Sequence, residues 1–322
     1  MNEFQLIDYI KKLGSAKIRE SSQNNLVKGI GDDAAVIKIK KNKFYLITTD
    51  ALIENVHFSL DTITLYNLGY KSVIVNVSDI LSKNGLPLYL LGSINIPPKI
   101  KNIHQFIKGI NDACKKYNIT LIGGDTTSSK NDFCISLTLI GETNKALYRS
   151  GYIENGDLIC VSNTVGLSGA GFYALNELNK YQKKKFKKAI AHHQKPQLLK
   201  QSIYKQITKI AKCGMDNSDG LFFSVCELCE QSQCGCELYF DRIPIHYETK
   251  KIAELLNIKI EDIINFGEDY NFVGILPKSS NKIIEANKNI IKIIGIVTNR
   301  KNKYLIKDNK KLELLKKGYE HK

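Results

Sequence analysis

Six short segments of this chain set carboxylates beside Gly, Ser, Thr or Asn. They are Gly29-Ile30-Gly31-Asp32-Asp33, Thr48-Thr49-Asp50, Asn76-Val77-Ser78-Asp79, Gly123-Gly124-Asp125-Thr126-Thr127-Ser128, Asp216-Asn217-Ser218-Asp219-Gly220 and Gly267-Glu268-Asp269-Tyr270. None contains Lys or Arg, in a chain where 47 Lys and Arg face 32 Asp and Glu. Taken singly they have ordinary readings. Asp50 and Asp219 suit helix N-caps, and Gly31-Asp32-Asp33 and Gly123-Gly124-Asp125 suit turns. Together they form a set of hard oxygen donors, the kind that holds Mg²⁺ and bridges it to phosphates. Gly-rich turns add backbone N–H groups that approach phosphate oxygens closely.

Asp79 is the sharpest single position. Val73, Ile74, Val75, Val77, Ile80 and Leu81 make its helix apolar over most of the circumference. Ser72, Asn76, Asp79 and Lys83 fall at i, i+4, i+7 and i+11 on one narrow polar stripe. Such a stripe either faces solvent or turns toward an internal site. In the second case an ionised carboxylate needs a partner or a metal. The familiar nucleotide signatures are absent: no GxxxxGK[ST] loop, no HRD or DFG set, no GxGxxG opening a helix.

Apolar alternation predicts strands near Ala35–Ile39, Phe44–Thr48, Leu88–Ile96, Thr120–Ile122 and Phe133–Ile140. Longer periodic segments predict helices over Leu65–Ser82 and Ile103–Tyr117. The pattern restarts after Gly141. Strands are expected near Leu158–Val161, Glu237–Phe240, Asn271–Leu276 and Ile290–Val297, and helices over Gly169–Leu178, Gln197–Lys212 and Asp219–Glu230. The mixture is α/β without the regular βαβ alternation of a doubly wound fold. The polar stretch Glu142–Lys145 divides it into two expected domains, 1–145 and 146–322.

With 322 residues, 43% hydrophobic and 25% charged, the chain is neither disordered nor collagen-like. No apolar run approaches the roughly 18 residues of a membrane helix. The start, with acids early and Phe4, Ile7, Ile10 and Leu13 spaced like a helix face, does not read as a signal or transit peptide. Eight cysteines form no dense disulfide framework, which suits a reducing cytoplasm. Cys226-x-x-Cys229 and Cys234-x-Cys236 read as small buried residues rather than a zinc site. The net charge of +15 invites a nucleic-acid reading. However, only Arg19, Arg149, Arg242 and Arg300 are arginines, and the Lys183–Lys188 run reads as solvated surface at a loop or helix end.

In this order, the segments GIGDDAAVI, TTDALIENVHF, LGYKSVIVNVSDI, LIGGDTTSS, LYRSGYIENGDLI, DNSDGLF and GEDYNF resemble the thiamine-monophosphate kinase family, in the aminoimidazole ribonucleotide synthetase-like superfamily. The resemblance runs from Gly29 to Leu276. It implies a two-domain α/β subunit whose N-terminal sheet pairs with a second subunit's into a barrel-like homodimer. It also implies transfer of the ATP γ-phosphoryl group to thiamine monophosphate with several Mg²⁺ ions. Asp33, Thr48, Thr49, Asp50, Asp79, Asp125, Asp216 and Asp219 match its metal positions. Tyr117, Gly124, Asp125, Arg149 and Ser218 match its ATP positions, and His57 and Glu268 face its thiamine substrate. Two departures stand out: Phe266 where the family has a second glycine before Glu-Asp-Tyr, and Lys316 where it places a substrate-packing Trp.

The chemistry agrees with that resemblance. A phosphate acceptor is already ionised near neutral pH and needs no general base, so the difficulty is bringing two polyanions together in line. The other readings are a superfamily member that activates another oxygen through ATP, such as aminoimidazole ribonucleotide synthetase or selenophosphate synthetase, and a Lys-rich nucleic-acid-binding protein without activity. No reactive Cys near the N-terminus supports the synthetase that handles selenium.

Overall fold

The computed structural model describes residues 5–7, 9–12 and 25–319, with Asn281 described by its backbone alone. Of the helix face expected at the start, Ile7 and Ile10 are helical, whereas Phe4 and Leu13 lie outside the described residues.

Six strands make the first sheet: β1 (Leu26–Lys28), β2 (Ala35–Lys40), β3 (Lys43–Ile53), β4 (Leu86–Ile96), β5 (Thr120–Ser128) and β6 (Cys134–Thr143). Their spatial order is β1-β2-β3-β6-β4-β5. Only β4 and β5 run parallel, and the crossover that such a pair requires is helix α2 (Ile103–Tyr117). Helix α1 (Leu65–Ser82) starts on the Thr64 side chain, which accepts from the Asn67 N–H at 3.2 Å. It lays Val73, Val77 and Ile80 against Leu46, Leu52, Ile135 and Leu139 of β3 and β6. Each such buried side chain contributes roughly 1.5–3 kcal/mol. α1 and α2 cross at two glycines: a Cβ on Gly69 would meet Phe106 O at 2.0 Å, and one on Gly109 would meet Tyr66 O at 2.0 Å. The alternation that buries one face of this sheet leaves Tyr45, Ile53 and Tyr89 exposed.

The second sheet has seven strands, β7 (Leu158–Ser162), β8 (Cys213–Asp216), β9 (Gly235–Tyr239), β10 (Phe272–Leu276), β11 (Ile291–Thr298), β12 (Lys303–Lys307) and β13 (Lys310–Glu313). They lie in the order β13-β12-β9-β11-β7-β10-β8. The helices here are α3 (Leu167–Glu177), α4 (Lys180–Lys183), α5 (Lys187–Gln194), α6 (Gln201–Ile210), α7 (Leu221–Gln231), α8 (Tyr247–Leu256), α9 (Ile260–Ile264) and α10 (Asn281–Ala286). Phe222, Val225 and Cys229 of α7 join Ile159, Val273 and Ile294 in the second core. Cys226, Cys229 and Cys236 are buried and Cys234 half-buried. Among the described residues no helix is long and apolar enough to cross a membrane.

Both N-cap readings are corrected. Asp50 lies within β3, which runs on to Ile53 because β6 pairs with it throughout. Asp219 precedes α7, whose N-cap is Gly220. The expected turn at Gly123-Gly124-Asp125 is also strand, since pairing with β4 supplies the hydrogen bonds that weak propensity alone does not. Within the polar join, Glu142 and Thr143 complete β6.

Candidate active site

One face of α1 organises the site. Lys71, Val75, Ser78, Asp79 and Ser82 recur at helical spacing, and each polar member meets an acid or hydroxyl from another element. Thr48 Oγ1 of β3 donates to Asp79 Oδ2 at 2.5 Å. Ser78 Oγ donates to Asp216 Oδ2 at 2.8 Å, and Ser82 Oγ to Asp33 Oδ2 at 3.1 Å. Lys71 Nζ reaches Glu268 Oε1 at 2.8 Å. The polar stripe therefore does not face solvent: Ser72, Asn76 and Lys83 are buried too. Ser72 and Asn76 donate to carbonyls of their own helix, Gly69 O and Ser72 O.

At one end of a cleft of about 800 Å³, single carboxylate oxygens of Asp33, Asp79 and Asp216 lie within 4.8 Å of one another. Asp50, Asp219, Thr49 and Ser218 line the same cleft. Crowded acids in a protein interior resist ionising together. Burial, then Asp219 and Asp33, push Asp50 up to about 6. Burial and Asp33 push Asp216 up to about 7, although Ser78 opposes the shift. Burial, then Asp50, Asp216 and Asp33, hold Asp79 well above the ordinary carboxylate range. Asp33 differs. Burial works against its charge, but Arg149 and Lys83 outweigh it and keep its carboxyl below the usual range. Arg149 donates to Asp33 Oδ1 through Nε at 2.6 Å, and Lys83 Nζ lies 2.5 Å from Asp32 Oδ1 and 2.8 Å from Asp33 Oδ2. An all-oxygen cluster with this much unneutralised charge fits Mg²⁺, and not a soft metal.

One wall of the cleft is built on strained backbone. Gly267, Glu268 and Tyr270 have φ of +91°, +57° and +54°. A non-glycine residue there costs about 1–2 kcal/mol. A Cβ on Gly267 would stand 2.2 Å from Ser218 O, and the Glu268 N–H donates to that same oxygen at 2.7 Å. Tyr270 N–H donates to Asn217 O at 3.0 Å. The Glu268 turn is thus stitched to the Asp216–Asp219 loop. Burial opposes the Glu268 charge, yet Lys71 holds its carboxyl below the ordinary range.

The profile of the AIR synthase related protein N-terminal domain matches residues 31–143, and that of its C-terminal domain residues 154–308. A thiamine-monophosphate kinase of Buchnera aphidicola subsp. Schizaphis graminum is 35% identical over 99% of this chain and 98% of its own length. The chain belongs to the thiamine-monophosphate kinase family. The family member of Bacillus subtilis is 30% identical over 100% of this chain and 99% of its own. A solved family structure, described as AaThiL complexed with AMPPCP and TMP, superposes with a TM-score of 0.83 at 31% identity. That superposition covers 99% of this chain and 97% of the other.

Placed in this family fold, the residues expected at the site separate into three groups. Asp33, Thr48, Thr49, Asp50, Asp79, Asp216, Ser218 and Asp219 gather at the acidic end, with Arg149 tied to Asp33. His57, whose Nδ1 accepts from Ile53 N–H at 3.0 Å, and Glu268 line the same cleft. Four others lie elsewhere. Asp125 and Gly124 stand on β5, and β5 is separated from β3 by β4 and β6, about 14 Å at ordinary strand spacing. Tyr117 is buried at the end of α2, and its hydroxyl has no hydrogen-bond partner among the described residues. Lys316 turns to Glu227 and to Glu230, at 2.8 Å from the latter, over the Phe223 ring, whereas Tyr319 lines the cleft.

Sequence reasoning passed over Lys71, His193 and Phe172, and it named Asp32 and Lys83 without giving either a role at the site. Lys71 and Lys83 carried a usable signal. A lysine on a helix that is apolar nearly all round must meet an anion.

Proposed function

We propose that this protein transfers the γ-phosphoryl group of ATP to the phosphate of thiamine monophosphate, giving thiamine diphosphate and ADP. The observation that carries the reading is a single cleft that joins the acidic cluster of Asp33, Asp79 and Asp216 to His57 and Glu268, in a member of the thiamine-monophosphate kinase family. The family structure described with AMPPCP and TMP supports the same pair of ligands.

Asp33, Thr48, Thr49, Asp50, Asp79, Asp216 and Asp219 would hold Mg²⁺, with Ser218 and Arg149 beside the ATP phosphates. Bound there, Mg²⁺ supplies charge that screens two polyanions from each other. The chain's own task is alignment. The α1 face fixes Asp79, Ser78 and Ser82, and the stitched loops fix Glu268 relative to Asp216. No side chain is assigned as general base, since the acceptor oxygen is already ionised.

A homodimer through the first sheet belongs to this reading. Its face opposite the helices carries exposed Tyr45, Ile53 and Tyr89, and every residue of β5 is exposed. A second copy on that face is the route by which Asp125 and Gly124 would join a site. We place the division between the domains at residue 145 and the protein in the cytoplasm, where ATP and free thiols both belong. The test is direct. With ATP, Mg²⁺ and thiamine monophosphate, thiamine diphosphate forms; ADP release that requires a different acceptor would overturn the assignment.

A further inference from the structure

Phe172 is an exception on α3. Its neighbours Ser168, Gly169, Ala170, Gly171 and Ala174 are small and buried, whereas Phe172 is 37% exposed and opens on the cleft. An apolar ring left facing a cavity marks a surface that a ligand covers. Phe266 stacks on it, with ring centroids 4.7 Å apart and planes inclined by 31°. The His193 ring stands edge-on to both, at 5.9 and 6.0 Å. Behind these rings lies a buried ion pair, Lys71 with Glu268. His193 Nδ1 lies 3.4 Å from Glu268 Oε2 and 3.0 Å from Ser168 Oγ. Burial and Lys71 hold the imidazole neutral, pushed down to about 3. Lys71 is itself spent on Glu268 at 2.8 Å, and no Lys or Arg is among the described residues that line the cleft. Stacked π-faces beside a carboxylate, in a cleft whose described lining holds no Lys or Arg, favour a flat ring that carries positive charge.

We propose that Phe172 and Phe266 form the platform that selects the cationic aromatic head of the acceptor, with His193 as a positioning residue that holds Glu268 beside it. The inference rests on the kinase reading and adds the residues that choose the acceptor. A heteroaromatic cation bearing a phosphate spans the cleft, its head on the rings and its phosphate toward the aspartates. A neutral ring of similar size keeps the stacking and loses the attraction to the π-faces and to Glu268.

The test uses full-length protein with AMPPCP and Mg²⁺, and reads calorimetric affinity for thiamine monophosphate and for hydroxyethylthiazole phosphate, whose ring is uncharged. Phe172→Leu and Phe266→Leu should each weaken thiamine monophosphate about tenfold and narrow its advantage over the phosphate with the uncharged ring. Phe266→Tyr should restore both, and the KM for ATP should stay within about twofold in every variant, the scale of ordinary context effects. Unchanged affinity and preference in both Leu variants, with wild-type turnover intact, would overturn the platform and leave the kinase reading standing. A wild-type protein that makes no thiamine diphosphate would overturn both.

Discussion

The Lys83 ammonium lies 2.8 Å from the Asp33 carboxylate, with the two side chains 1% and 0% exposed. Lys83 also touches Asp32 at 2.5 Å and donates to Gly214 O at 2.8 Å. One buried lysine therefore binds the acidic turn before β2, the end of α1 and strand β8 into one unit. Removing one partner of such a cluster leaves the others charged and without water, a cost of about 3–5 kcal/mol. Lys83→Met should accordingly lower the unfolding free energy by about 3 kcal/mol in urea. Adding Asp32→Asn should recover part of the loss, because it removes the stranded charge. A single variant as stable as wild type would show that Arg149 alone neutralises the turn.

The crowded acids set a pH dependence whose sign can be worked out. Asp50 and Asp216 release protons near 6 and 7 when folded, and near 4 when unfolded. The folded state thus holds protons that the unfolded state has lost, and without metal their contribution falls as pH rises from about 4 to 7. Asp33, shifted down, acts oppositely: its contribution is present above about 4 and is lost as pH falls through its folded value. Bound Mg²⁺ replaces the protons on the first pair. The rise in melting temperature between chelator and Mg²⁺ should therefore grow from about pH 5 to about pH 8. Scanning calorimetry in both media checks it, and an Mg²⁺ effect of constant size would count against these acids as ligands.

Asp79→Asn separates function from stability. Asp79 meets repulsion from Asp50, Asp216 and Asp33, and Thr48 is its hydrogen-bond partner. An amide keeps an acceptor for Thr48 and removes the charge. Turnover should fall at least about a hundredfold, whereas the metal-free protein should be about 1 kcal/mol more stable. Wild-type turnover would remove Asp79 from the metal set. A loss of stability would mean that the carboxylate is needed for packing.

How much of this was legible follows from where the information lies. Helices Leu65–Ser82 and Ile103–Tyr117 could be read to the residue because their apolar periodicity runs for several turns. The acids could be read because Asp, Gly and Ser in Lys-free runs are a compositional contrast within the chain. Contacts across elements could not. That β3 continues through Thr48-Thr49-Asp50 depends on β6, whose Leu137 pairs with Asp50. That Lys83 is buried depends on Asp32, Asp33 and Gly214 together. The stacked pair Phe172 and Phe266 lies on two segments far apart in sequence, and neither residue has a local pattern that points to the other.

Lys71 and Glu268 test whether the Glu268 turn is structure or recognition. Their 2.8 Å pair joins α1 to the strained turn, and Lys71 is 1% exposed. Glu268→Gln should strand the ammonium and destabilise the fold by about 2–3 kcal/mol. Lys71→Met should cost a similar amount, about 2–3 kcal/mol, by stranding the carboxylate. The double variant removes both charges, so its loss should fall short of the sum by about 1–3 kcal/mol. Acceptor binding should follow a different rule. If Glu268 contributes its charge to the acceptor's cationic head, the KM for thiamine monophosphate should stay about tenfold high in the double variant, even as stability returns. Recovery of KM together with stability would reduce Glu268 to a structural partner of Lys71.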